Sequence, residues 1–141
     1  MPSLPLFPLR TECPPGLCDC ERARLLEQEG ADIRILRLTR SEEQRLIARI
    51  ETIASYADLM RVTQLMQAQL GMALTIAPSA QEVRTVRGLS VRLEMRPGLC
   101  RQLRKSIPAA VRRCLEGNPQ IMYEILDRHD LLGQGRLHGG A

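Results

Sequence analysis

The feature that most limits what this chain can fold into is its shortage of aromatic side chains. In 141 residues there is no Trp, one Phe (Phe7) and two Tyr (Tyr56 and Tyr123). Its core must be built from Leu, Ile, Val, Met and Ala, which lack the large flat surfaces that a few aromatic residues can bury at once. Many elements must therefore each contribute a stripe of aliphatic residues. The same shortage argues against a single-strand nucleic-acid platform, which needs several exposed rings for bases to stack on. With 44% hydrophobic and 26% charged residues the composition still supports one ordinary globular domain.

The hydrophobic periodicity predicts an α+β fold. A small, mostly antiparallel sheet is covered by about four helices, with an extended Cys/Pro-rich arm at the N-terminus. The expected organisation is an arm over residues 1–20, a single domain over 21–132 and a flexible tail over 133–141, where four glycines fall. In the arm, Pro2, Pro5 and Pro8 and then Pro14-Pro15-Gly16 forbid a helix. Residues 21–28 suit a short helix stopped by Gly30. Residues 32–38 (DIRILRL) alternate as a strand. Thr39-Arg-Ser-Glu42 matches a capping box opening a helix that carries Leu46, Ile47, Ile50 and Ile53.

A second helix is predicted over residues 56–70, with Leu59, Val62, Met66 and Leu70 on one face and Gly71 as its left-handed cap. Residues 73–77 form a short strand. Residues 83–86 and 89–95 form a hairpin of two central strands around Arg87-Gly88. In the second of these, Leu89, Val91, Leu93 and Met95 share a face. A helical region follows from Leu99. Pro108 is expected to restart it, with Ser106 as N-cap. Gly117-Asn118-Pro119 then separates it from a last helix buried through Ile121, Met122, Ile125 and Leu126.

Three constellations carry functional expectations. The first is Cys13, Cys18 and Cys20, spaced C-x4-C-x-C on a proline-stiffened loop. Soft thiolates gathered on a short rigid loop suit zinc or an iron–sulfur cluster, because rigidity lowers the ordering cost of recruiting several ligands. A closed site needs a fourth ligand. Pro15-Gly16-Leu17-Cys18 is echoed by Pro97-Gly98-Leu99-Cys100, so Cys100 is the first choice, ahead of Cys114 and His129. The plain alternative is that Cys100 begins a helix with its side chain in the core, far from the arm. A thiol redox role is disfavoured, because Asp19 and Glu21 should raise the pKa of the neighbouring thiols.

The second constellation is a basic run. Nine cations and one acid (Glu94) lie between Arg84 and Arg113, giving that segment a formal +8 against −4 for the remainder. It suggests an acidic partner, nucleic acid or protein. Arg101, Arg104, Lys105, Arg112 and Arg113 are the candidate phosphate contacts. The plain alternative is a solvated face. The third is the pair of overlapping P-x-x-P motifs in residues 2–8, which suit a protein-interaction arm.

No stretch approaches about 18 consecutive apolar residues, and residues 1–10 do not read as a secretory signal, since three prolines interrupt their apolar run. A cytoplasmic location with reduced cysteines is the expectation. No phosphate-binding loop, metalloprotease motif or nucleophile elbow is present, so no enzyme is predicted. The leading expectation is a non-enzymatic, metal-binding accessory or regulatory module with ligands Cys13, Cys18, Cys20 and Cys100. The alternatives are phosphate-mediated nucleic-acid binding and partner docking through the arm.

Overall fold

The computed structural model describes residues 8–11, 13, 18–78 and 89–132, with side chains through Arg128. Their element order is α1 (Arg22–Glu27), a 3-10 turn (Arg34–Arg37), α2 (Arg40–Glu51), α3 (Tyr56–Leu70), β1 (Leu74–Pro78), β2 (Leu89–Leu93), α4 (Arg101–Gly117) and α5 (Pro119–Leu132). The fold is α+β with a small antiparallel sheet. β1 pairs with β2 so that Ile76 faces Val91 and Leu74 faces Leu93. α4 packs on β2 and α2, while α5 covers β1 and touches α4. No helix among the described residues is long and apolar enough to cross a membrane.

The core is aliphatic, as the composition requires. Ile35, Ile50, Met66, Leu99, Ile107 and Ile121 are among its most deeply buried side chains. Local rules place most elements. The Thr39 hydroxyl accepts the Glu42 N–H at 3.3 Å and starts α2. Gly71, at φ 68°, ends α3 in the left-handed region. Leu89, Val91 and Leu93 turn inward from β2 and are all buried, whereas Met95, past the strand end, is 62% exposed. The expected strand at residues 83–86 lies outside the described residues.

Two expectations are corrected. Residues 32–38 do not form a strand. Asp32 Oδ1 accepts the Arg34 N–H at 3.1 Å, a side-chain turn that competes with extended backbone. The 3-10 turn that follows buries the consecutive Ile35 and Leu36, which a strand would send to opposite faces. Nor does Pro108 restart a helix. α4 runs unbroken from Arg101 to Gly117, with Ser106 inside it. An interior proline costs about 3 kcal/mol. Here the ring is itself buried, and Ile107, Val111, Cys114 and Leu115 are buried on the same helix. Several fully buried aliphatic side chains, each contributing about 1.5–3 kcal/mol, outweigh that local cost.

Candidate metal centre

The arm and the start of α4 meet at one place. Gly98 turns the chain into α4 at φ 92°, and its N–H donates to the Cys20 carbonyl at 2.6 Å. A Cβ at Gly98 would stand 2.6 Å from Ile35 Cγ2 and 2.9 Å from Leu25 Cδ2, so glycine is needed for both its conformation and its size. Leu99, 2% exposed, anchors the turn in the core, and Cys100 then occupies the N-cap of α4. On the other side Cys20 is buried, and the chain bends at Glu21, which adopts φ 58°, ψ 34° before α1 begins.

These constraints gather four sulfurs. The Sγ atoms of Cys13, Cys18, Cys20 and Cys100 all lie within 4.8 Å of one another. Cys13 and Cys100 approach to 3.5 Å. Cys20 and Cys100 are buried, and Cys13 and Cys18 are partly exposed. None of the four is in a disulfide. The first copy of the Pro-Gly-Leu turn, residues 15–17, lies outside the described residues. The second, residues 97–99, delivers Cys100 to the cluster.

The groups that reach the sulfurs are cationic or hydrogen-bond donors. The Arg101 N–H, first in α4, donates to Cys18 Sγ at 3.4 Å, so a sulfur takes the place of a side-chain cap at the positive end of the helix. Arg10 Nη2 donates to Cys20 Sγ at 3.5 Å. Arg104 pairs with Asp19 and ties α4 to the arm a second time. Burial pushes the Cys100 thiol well up, although the nearby Arg10 charge opposes this. Burial also raises Cys13.

Cys18 behaves differently. Burial raises its pKa, but hydrogen bonds from the Arg101 backbone, Cys13 and Cys20 outweigh this and bring it down to about 7. The expected upward pull of Asp19 and Glu21 on Cys18 is thereby corrected. Those carboxylates are engaged by Arg104 and Arg24, while backbone N–H groups face the sulfur.

Sequence reasoning named the cysteines but missed Arg10. It is 7% exposed, and its Nε and Nη1 are buried with no hydrogen-bond partner among the described residues. An arginine in a proline-rich arm carries no sequence mark of burial. The other candidate ligands lie elsewhere. Cys114 donates to the Ile53 carbonyl at 3.3 Å near the far end of α4, and His129 sits on α5 with its side chain outside the described part.

The candidate phosphate contacts are divided. Arg101, Lys105, Arg112 and Arg113 are exposed along α4. Arg113 pairs with Glu51 at 2.9 Å and Arg104 with Asp19, while Arg112 reaches the Val91 carbonyl at 3.4 Å.

Four soft donors gathered within 4.8 Å of one another can hold a thiophilic metal ion. With all four positions taken by protein, such a site is closed, the arrangement of structural rather than catalytic metal centres. Comparisons of the chain with protein-family models, with curated proteins and with solved structures found no match.

Proposed function

We propose that this protein is a non-enzymatic metal-binding module of accessory or regulatory type, holding its metal through Cys13, Cys18, Cys20 and Cys100. The observation that carries this reading is the mutual approach of the four sulfurs within 4.8 Å. Around a single tetrahedral ion with metal–sulfur bonds of about 2.3 Å, the ligand sulfurs stand about 3.8 Å apart. The 3.5 Å between Cys13 and Cys100 and the 4.8 Å limit on the other separations bracket that value. A [4Fe–4S] cluster attaches each cysteine to its own iron and a [2Fe–2S] cluster attaches them in two pairs, so either one sets some of the sulfurs further apart. One zinc ion therefore fits the spacing better than a cluster does.

A closed tetrathiolate has no position for water or substrate, so its role is to fix structure. Here it fixes the arm to the turn before α4. Binding displaces thiol protons and stabilises the folded chain, because the unfolded chain holds no such site.

The test is metal analysis of reduced protein purified without chelators, combined with a visible spectrum. About one equivalent of zinc and no visible chromophore are expected. Strong visible absorption with iron would replace zinc by an iron centre at the same cysteines. Neither metal after both aerobic and anaerobic purification would overturn the reading.

A further inference from the structure

We infer that Arg10 is the built-in counter-charge of this centre: a buried guanidinium placed to balance a dianionic tetrathiolate metal complex. The inference rests on the metal reading above and adds a residue that is not a ligand.

Arg10 is 93% buried, yet among the described residues no carboxylate pairs with it. Among the described residues, only Nη2 of its three guanidinium nitrogens has a partner, and that partner is Cys20 Sγ. The side chain is not there by a loose fit of the arm. The Arg10 N–H donates to the Leu36 carbonyl at 2.7 Å, and its own carbonyl accepts from Arg22 Nε at 2.8 Å. The backbone is thus held on both sides.

A guanidinium stays charged at any ordinary pH, so it cannot escape the penalty of burial by losing its proton. Neutral thiols cannot repay that penalty. Four thiolates around a divalent ion can, because the complex carries a net charge of about −2. The Arg10 charge offsets part of this, and the positive end of α4, through the Arg101 N–H on Cys18 Sγ, offsets more. Charge-assisted hydrogen bonds to the coordinating sulfurs also hold them in place, as groups just outside the ligand shell do in metal sites generally.

This account predicts opposite effects of one substitution on the two forms of the protein. Arg10→Met keeps much of the side-chain volume and removes the charge. In the zinc-loaded protein it should weaken zinc affinity about 10- to 100-fold, measured by competition with a chromophoric chelator. It should also lower the thermal midpoint. In the chelator-treated, reduced protein the same change should raise the midpoint, because an unpaired buried cation has been removed.

Arg10→Lys preserves the charge and should keep most of the affinity. If Arg10→Met fails to fold, Arg10→Lys carries the test, and a loss of zinc affinity as large as that predicted for methionine would overturn the inference. Cobalt provides an independent readout. The thiolate-to-cobalt charge-transfer band should shift in Arg10→Met and remain in place in Arg10→Lys.

Equal destabilisation of both forms by Arg10→Met, with unchanged zinc affinity, would show that Arg10 only packs and would overturn the inference. Failure of the unsubstituted chain to bind any metal would instead overturn the metal reading, and the role of Arg10 with it.

Discussion

The two ends of α4 each bury a cysteine, and they solve the resulting polar problem in different ways. At the C-terminal end, Cys114 Sγ donates to the Ile53 carbonyl at 3.3 Å. Asn118 Nδ2 donates to the same carbonyl at 3.2 Å and to the Cys114 carbonyl at 2.9 Å. Burial raises the Cys114 pKa, and a neutral thiol is what a donor to a carbonyl must be. Protein groups complete that end.

At the N-terminal end, Cys100 faces three more sulfurs and a guanidinium with two unpartnered nitrogens. Protein groups leave that end incomplete. The comparison teaches that a buried cysteine alone is uninformative. What singles out Cys100 is the company of three more sulfurs and a buried guanidinium.

The largest effect that would break this comparison is an exchange of sensitivities between the two cysteines. Cys100→Ser should abolish stoichiometric metal binding. If zinc is present at about 1,000 times its dissociation constant, its loss removes about 4 kcal/mol of stability. That corresponds to a fall in thermal midpoint of about 10 °C for a domain of this size. Cys114→Ser should retain the metal and lose about 1 kcal/mol, since a hydroxyl can still donate to the Ile53 carbonyl. Metal analysis and calorimetry on the two variants measure both quantities. Retention of full metal by Cys100→Ser would remove the distinction between the two ends.

A smaller effect tests how the N-terminal end is assembled. Gly98→Ala places a methyl group 2.6 Å from Ile35 Cγ2 in a backbone conformation with φ 92°. The left-handed conformation costs about 1–2 kcal/mol and overpacking about 1–3 kcal/mol, so destabilisation of about 3 kcal/mol is expected in denaturant titrations. Because Gly98 also bonds the Cys20 carbonyl, zinc affinity should fall with stability. The matched change Gly117→Ala, where nothing lies within 4 Å of the added Cβ, should do neither.

Much of this was legible in the chain. Thr39 and Gly71 act through interactions within a few residues, and the buried stripe from Ile121 to Leu126 shows as a helical period, so local rules find both. The strand reading of residues 32–38 failed because period two was counted without the Asp32 side chain, which bends the backbone at Arg34. Pro108 misled because its local cost is visible in sequence, whereas the burial that overcomes it depends on β2 and α2. At the site, spacing exposed three cysteines and a repeated turn exposed the fourth. Arg10 could not be seen, because its burial depends on the Leu36 carbonyl and Arg22, which adjoin it only in the fold. The Cys18 pKa was misjudged for the same reason. Its near neighbours in sequence are acidic, whereas the Arg101 N–H that faces its sulfur is 83 positions away.

The smallest expected effect separates the cysteine end from the rest of the molecule by acid. Asp32 is not one of the cysteines' hydrogen-bond partners among the described residues. It accepts from Arg34 Nη2 at 2.7 Å and from Arg96 Nη1 at 3.4 Å. The Arg34 hydrogen bonds, with the added charge of Arg96, hold its carboxyl well below the usual carboxylate range. A carboxyl whose pKa is lowered on folding adds stability above its unfolded value, and that stability fades as the pH falls toward the folded value. The unfolded value is about 3.9, so the Asp32 contribution should be complete at neutral pH and decline below about pH 4. The side chain is 41% exposed, so the effect is small and should shrink further in high salt. Metal release also follows acidification, because protons compete for the thiolates. The two are distinguished by titrating zinc-loaded and chelator-treated protein in parallel. The difference between the curves belongs to the cysteines. In the chelator-treated protein, Asp32→Asn should flatten the decline below pH 4 while leaving the zinc-dependent difference unchanged. An altered zinc-dependent difference in Asp32→Asn would show that the Asp32 network and the N-terminal end of α4 form one coupled unit.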